Sequence, residues 1–197
     1  MRICFFGDSF VNGTGDDACL GWTGRVCAAA RRAGHDVTHY NLGIRRDTSA
    51  DVAARWCREA AARLPAGPEG RLVFSFGAND CAPDAGGGVR VPAGRCLVNA
   101  EAILAEASAW RPTLMVGPAP IGDDSAADAR IAALSAALET LCGRLGVPFL
   151  AVFATLAADP AWTAEAAAGD GTHPNSGGYA RLAQLVGDWD AWRAWFA

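Results

Sequence analysis

Four short segments of this chain hold residue types that could do chemistry. The first is Gly7-Asp8-Ser9-Phe10, where a hydroxyl follows an apolar run that ends in glycine. A tight turn there exposes the serine, and a helix starting behind it offers backbone N–H groups to an anion. The same residues also suit an ordinary helix cap. The second segment, Asn41-Leu42-Gly43, reads by itself as a turn glycine. The third, Gly77-Ala78-Asn79-Asp80, reads either as an Asx turn or as a place where the Asn79 amide donates to the same anion. The fourth is Asp170-Gly171-Thr172-His173-Pro174. An acid three residues before a histidine can be held against the imidazole by one turn, which fixes the tautomer and stabilises the imidazolium. The acid, threonine and proline also suit a helix start, and both readings can hold together.

These segments gain weight from the elements that must position them. Apolar, aromatic or β-branched runs at 2–7, 36–42, 71–76, 113–117 and 148–153 read as strands. Between them, 20–33, 48–64, 93–110 and 125–145 carry helical patterns, and 175–195 reads as a final helix. Strands alternating with helices predict a parallel sheet covered on both faces, an α/β fold in three layers. No repeat or linker divides the chain, so residues 1–197 read as one domain. In such sheets sites form beyond the carboxyl ends of the strands. The four segments follow strands or open the last helix, so all should face one edge of the sheet.

Composition narrows the chemistry. The net charge is −4, which disfavours nucleic acid as a partner. All 17 basic residues are arginine, so Schiff-base chemistry and the lysine of a phosphate-binding loop are excluded. Seven cysteines without a Cys-x-x-Cys pair suggest buried thiols in a reducing compartment, not a disulfide framework or a thiol redox centre. The N-terminal segment is too short for a signal peptide and no apolar run is long enough for a membrane span, so a cytoplasmic protein is expected. Of the three histidines, only His173 lies in a polar turn; His35 and His39 are given no role.

The motifs together resemble those of the GDSL, or SGNH, hydrolase family. Its four named residues fall on Ser9, Gly43, Asn79 and His173, and Asp170 matches the acid of its Asp-x-x-His motif. The stretch 41–49 is similar to the block seen in arylesterase and lysophospholipase-like members. Two positions depart from the pattern. Phe10 replaces a leucine, and Arg46 stands where many members have glycine; if that position takes positive φ, arginine is strained there.

The resemblance implies a flavodoxin-like fold with a five-stranded parallel sheet and acyl transfer to water, without a metal or cofactor, on a small-molecule ester. Ser9 would attack, His173 would act as base and then acid, and Asp170 would orient His173. The N–H groups of Ser9 and Gly43 and the Asn79 amide would form the oxyanion hole. Short acyl groups are expected, because the one sizeable insertion, 81–92, is rich in glycine and poor in large apolar side chains. Trp22 is expected near the pocket, and Trp189, Trp192 and Trp195 are expected to pack the last helix on the sheet. Alternatives on the same fold are a carbohydrate acetylesterase or an acyltransferase; a more distant one is a non-catalytic flavodoxin-like binding module.

Overall fold

The computed structural model describes residues 1–64, 66–67 and 69–197. Five strands, β1 (Arg2–Gly7), β2 (Thr38–Gly43), β3 (Gly70–Ser75), β4 (Thr113–Val116) and β5 (Phe149–Leu150), form one sheet in the order β2-β1-β3-β4-β5. Every pairing is parallel, as expected for strands linked through helices. β1 lies inside the sheet between β2 and β3, and its Ile3, Cys4, Phe5 and Phe6 are fully buried, which explains why this run is apolar at successive and not alternate positions.

Strand pleating sends neighbouring side chains to opposite faces. Phe5 meets Trp22 edge-on at 5.5 Å and Trp192 at 6.2 Å, whereas Phe6 stacks on Phe74 at 5.4 Å, which in turn meets Trp56. The first face is covered by α2 (Gly21–Arg32), α8 (Ser176–Asp188) and α9 (Asp190–Arg193), the second by α3 (Ser49–Arg63), α4 (Ala93–Trp110) and α5 (Ser125–Leu145). Short helices α1 (Ser9–Asn12), α6 (Phe153–Ala157) and α7 (Pro160–Ala168), with a 3₁₀ turn at Asn79–Cys81, lie in the connections. The fold is thus the three-layer α/β arrangement with a five-stranded parallel sheet.

Three expectations change. The fifth strand pairs only over Phe149–Leu150, because the chain turns into α6 at Phe153. The final helix breaks at Trp189, whose backbone is extended; the break lets the tail fold back and bury Trp192. Trp22 does not wall a pocket, since it is fully buried against Phe5. Helix α7 carried a start signal that sequence reading passed over: Asp159 caps it through the Ala161 N–H and Pro160 takes the first position. Five of the seven cysteines are buried, but Cys19 and Cys57 are exposed.

The carboxyl ends of β1 and β2 approach α1 so closely that only glycine fits at Gly43. A Cβ there would stand 2.2 Å from the Asn12 nitrogen and 2.7 Å from the Asp8 carbonyl oxygen, both backbone atoms that cannot swing aside. Gly43→Ala should therefore lower unfolding free energy by about 2 kcal/mol or more. Urea denaturation checks this, and an unchanged midpoint would show that α1 can move away from β2.

Candidate active site

The first part of the site follows from how β1 ends. Asp8 leaves the strand with extended geometry and caps α1 by accepting the Phe10 N–H at 2.9 Å. Ser9 is then the first residue of a one-turn helix, with its backbone N–H free of any partner among the described residues. Phe10 preserves the turn despite replacing leucine. It is buried, stacks on Trp162 and lies 5.1 Å from the His173 ring, so it walls the imidazole.

His173 comes from 164 residues further along the chain, yet its Nε2 lies 2.7 Å from Ser9 Oγ. Its Nδ1 lies 2.7 Å from Asp170 Oδ2. Asp170 also accepts the backbone N–H groups of Thr172 and His173, at 3.0 and 2.8 Å. Partial burial works against the Asp170 charge, but these N–H groups and the imidazole outweigh it and hold the carboxyl down at about 2. The carboxylate therefore stays ionised beside the ring. With Asp170 fixing Nδ1, Nε2 is the nitrogen that faces the hydroxyl.

What brings the two ends together is a clamp between residues 14–17 and 174–179. Buried Asp16 accepts from the Arg25 guanidinium, from Ser176 Oγ at 2.6 Å and from the Gly21 N–H at 2.7 Å. Asn175 accepts the Asp17 N–H at 3.0 Å and donates to its carboxylate at 2.7 Å. The Tyr179 hydroxyl donates to the Thr14 carbonyl at 2.7 Å. None of these partners was singled out in the sequence, because their pairing depends on a long-range meeting of two loops.

The remaining two expected residues divide. The Asn79 amide donates one proton to the Asp47 carbonyl at 3.1 Å, which leaves the other proton available. The Gly43 N–H is not available: it donates to Asn41 Oδ1 at 3.0 Å, and Gly43 serves the close packing of β2 against α1. The structure thus corrects the expectation that Gly43 supplies an oxyanion donor. The turn just beyond it offers a different N–H. There the Asp47 N–H returns to the Ile44 carbonyl at 3.2 Å, and Arg46 has φ of +72°. A left-handed non-glycine residue costs about 1–2 kcal/mol. The Arg46 N–H has no partner among the described residues.

Two buried carboxylates brace this edge from below. Asp80 is fully buried and accepts both the N–H and the hydroxyl of Ser49, joining the Asn79 turn to the start of α3. Asp8 is almost fully buried with few donors. Burial pushes its carboxyl up to about 7, against the pull of the Phe10 N–H and with Asp80 and Asp47 adding repulsion. A cavity of about 410 Å³ opens beside His173, lined by Thr14, Arg45, Glu165, Asp170 and Asn175 among others. A larger, more apolar cavity of about 560 Å³ between α2 and α8 has Arg25 of the clamp on its wall but not Ser9, Asn79, Asp170 or His173. Among the described residues no cluster of three or more His, Cys, Asp or Glu could hold a metal, and no helix is long and apolar enough to cross a membrane.

The raised Asp8 value has a consequence for stability. Between the unfolded carboxyl value near 3.8 and about 7, the folded chain keeps a proton that the unfolded chain has released. Raising pH through that window therefore costs stability. Asp8→Asn keeps the acceptor for the Phe10 N–H and removes the titration. The melting temperature of the wild type should fall relative to that of Asp8→Asn as pH rises from about 4 to about 7. Parallel curves would show that Asp8 is not the source.

Comparison with known proteins agrees with this geometry. The profile of the GDSL-like lipase/acylhydrolase family matches residues 5–181. Among solved structures, the chain is similar to the lipase/acylhydrolase from Enterococcus faecalis, with 23% identity and a TM-score of 0.78 over 98% of this chain and 96% of that one. It is also similar to the acetylxylan esterase Axe2 from Geobacillus stearothermophilus, with 18% identity and a TM-score of 0.75 over 93% of this chain and 91% of that one. At these identities the likeness speaks for the fold. No curated protein matches. The match spans most of the chain and all the segments that carry the site, and the chain belongs to the GDSL-like lipase/acylhydrolase family of ester-hydrolysing enzymes.

Proposed function

We propose that this chain, acting as one domain over residues 1–197, cleaves carboxylic esters of short acyl chains through an acyl-enzyme on Ser9. The observation that carries the reading is the unbroken line from Ser9 Oγ to His173 Nε2 and from Nδ1 to Asp170, each step at 2.7 Å. His173 accepts the Ser9 proton as Oγ bonds to the ester carbonyl carbon. The tetrahedral intermediate collapses, the C–O bond to the alcohol breaks, and the His173 proton passes to the leaving oxygen. Water then repeats the sequence on the acyl-enzyme: it loses a proton to His173, attacks the carbonyl, and Ser9 leaves with that proton restored.

The negative charge on the carbonyl oxygen falls, in this reading, to three donors: the Ser9 N–H, the spare Asn79 amide proton and the Arg46 N–H, which replaces Gly43. Each such donor is worth about 3–4 kcal/mol in the transition state. The left-handed backbone at Arg46 is then strain kept because it aims an N–H. The free thiols suit a reducing compartment, the cytoplasm.

A second reading, a carbohydrate acetylesterase, has one observation in its favour. The cavity beside His173 carries Thr14, Arg45, Glu165 and Asn175 on its wall, side chains able to hydrogen-bond an alcohol rich in hydroxyl groups. The acyl half of the substrate is short in either case.

A fluorophosphonate should label Ser9, as found by mass spectrometry; a stable adduct elsewhere would sink the assignment. His173→Ala should cut kcat by about 10³-fold or more, and Asp170→Asn should act in the same direction through loss of the productive tautomer. Near-full activity in Asp170→Asn would reduce Asp170 to a helix-start residue. Across p-nitrophenyl esters from acetate to palmitate, efficiency should be highest for short chains. A steady climb to the long ones would reveal an apolar groove and shift the reading toward a lipase. Acetylated xylo-oligosaccharides assayed beside the aryl esters separate the two readings by their kcat/KM.

A further inference from the structure

Two donors of the proposed oxyanion site, Asn79 and Arg46, have no rigid element of their own. Asn79 sits in a single 3₁₀ turn, and Arg46 in a four-residue turn at the end of β2. Both converge on Asp47: its carbonyl accepts the Asn79 amide, and its N–H closes the turn that contains Arg46. What holds Asp47 therefore sets where both donors point.

One side chain does so from the first half of α3. Arg55 is mostly buried, and its Nε donates to Asp47 Oδ2 at 2.7 Å. The other arm of the same guanidinium, Nη2, donates to the Gly7 carbonyl at 3.1 Å, two residues before Ser9. That carbonyl also accepts the Ile44 N–H at 3.0 Å, so it already ties the end of β1 to the turn. Glu59, one helical turn on, receives Nη1 at 3.3 Å, and the guanidinium lies 5.9 Å above the Phe6 ring. A planar cation with donors on both edges is thus held in one orientation by acceptors from three elements. Its helix is anchored in turn, since Ser49 at the start of α3 donates twice to Asp80, the residue after Asn79.

We infer that Arg55 is a positioning residue: its guanidinium locks the 44–47 turn against the end of β1 and thereby sets the Asn79 amide and the Arg46 N–H relative to Ser9. This rests on the reading of those two groups as oxyanion donors. Arg55 does not reach the reacting atoms. Its work is to let no slack develop between the nucleophile strand and the donor turn, where a misplacement of about 1 Å can cost about 100-fold in rate. Without it, the Asp47 carboxylate, itself mostly buried, loses its countercharge and the turn loses its only side-chain tie to β1 among the described residues.

The test is a double-mutant cycle on p-nitrophenyl acetate. Arg55→Met should lower kcat about 10- to 100-fold with KM within about twofold, because the loss is in the transition state. In an Asn79→Ala background, where one of the two donors is already gone and only the Arg46 N–H is left to displace, the same change should cost clearly less than in the wild type. Arg55→Lys keeps the charge but cannot reach both acceptors, so it should fold like the wild type and show an intermediate kcat. If Arg55→Met unfolds, as judged by circular dichroism and melting, the cycle is run with Arg55→Lys. A full, additive loss in the Asn79→Ala background, a change in KM alone, or an unchanged kcat would each overturn the inference and reduce Arg55 to a structural ion pair. The rate of Ser9 labelling by a fluorophosphonate reads the same geometry without an ester. Failure of the wild type to label or to turn over any ester would instead bring down the proposed function, and the positioning role with it.

Discussion

The site depends first on the clamp that seats the 173–179 segment on the loop after α1. Ser9 and His173 belong to opposite ends of the chain, and a hydrogen bond between them has meaning only if both ends are held to within a few tenths of an ångström. Asp16 supplies that hold. It is buried, it accepts from Arg25, Ser176 and two backbone groups of the α2 start, and those donors keep its carboxyl well below the usual range despite the opposing pull of burial. A buried carboxylate satisfied on both oxygens is rigid, because letting go of any partner strands a charge away from water. Everything on the His173 side of the site is hung from it.

The opposite side is built from close backbone approach. Gly7 and Gly43 end neighbouring strands in register, and neither has room for a Cβ: at Gly7 it would fall 1.9 Å from the Ser75 carbonyl, at Gly43 2.2 Å from the Asn12 nitrogen. This closeness lets one turn of helix, α1, sit directly on the sheet edge with Ser9 at its head. It also explains why Gly43 is needed although its N–H is already engaged by Asn41. A residue can be indispensable at a site because of what it leaves empty.

Charge is managed at this edge by unequal treatment of similar groups. Asp170 is half exposed and surrounded by donors, so it stays ionised beside the His173 ring. Asp8 is buried with one donor and is pushed toward neutrality, which spares Ser9 a second negative neighbour. Asp47 is drawn upward by burial and pulled back by Arg55. The three carboxylates share a type and differ in environment, and each environment suits a different task.

Much of this was legible in the chain itself. Periodicity marked the strands and the long helices, since burial on both faces leaves a continuous apolar run that no other element needs. The residues of the hydroxyl–imidazole–carboxylate line were legible too, because turn chemistry is local: Gly-Asp-Ser must end a strand, and Asp-x-x-His can close in one turn. The chain also flagged Arg46 as out of place, and the positive φ found there agrees. What local pattern could not carry was any feature made by two distant segments. The engaged Gly43 N–H, the Asp16 clamp, the bridging guanidinium of Arg55 and the buried fate of Trp22 all arise when strands 1 to 3 come into register and the last helix closes over the first. A sequence states which groups are present and which turns they favour. Only packing decides which N–H is already spent, which carboxylate is buried, and which arginine faces inward, because each depends on partners tens to hundreds of residues away.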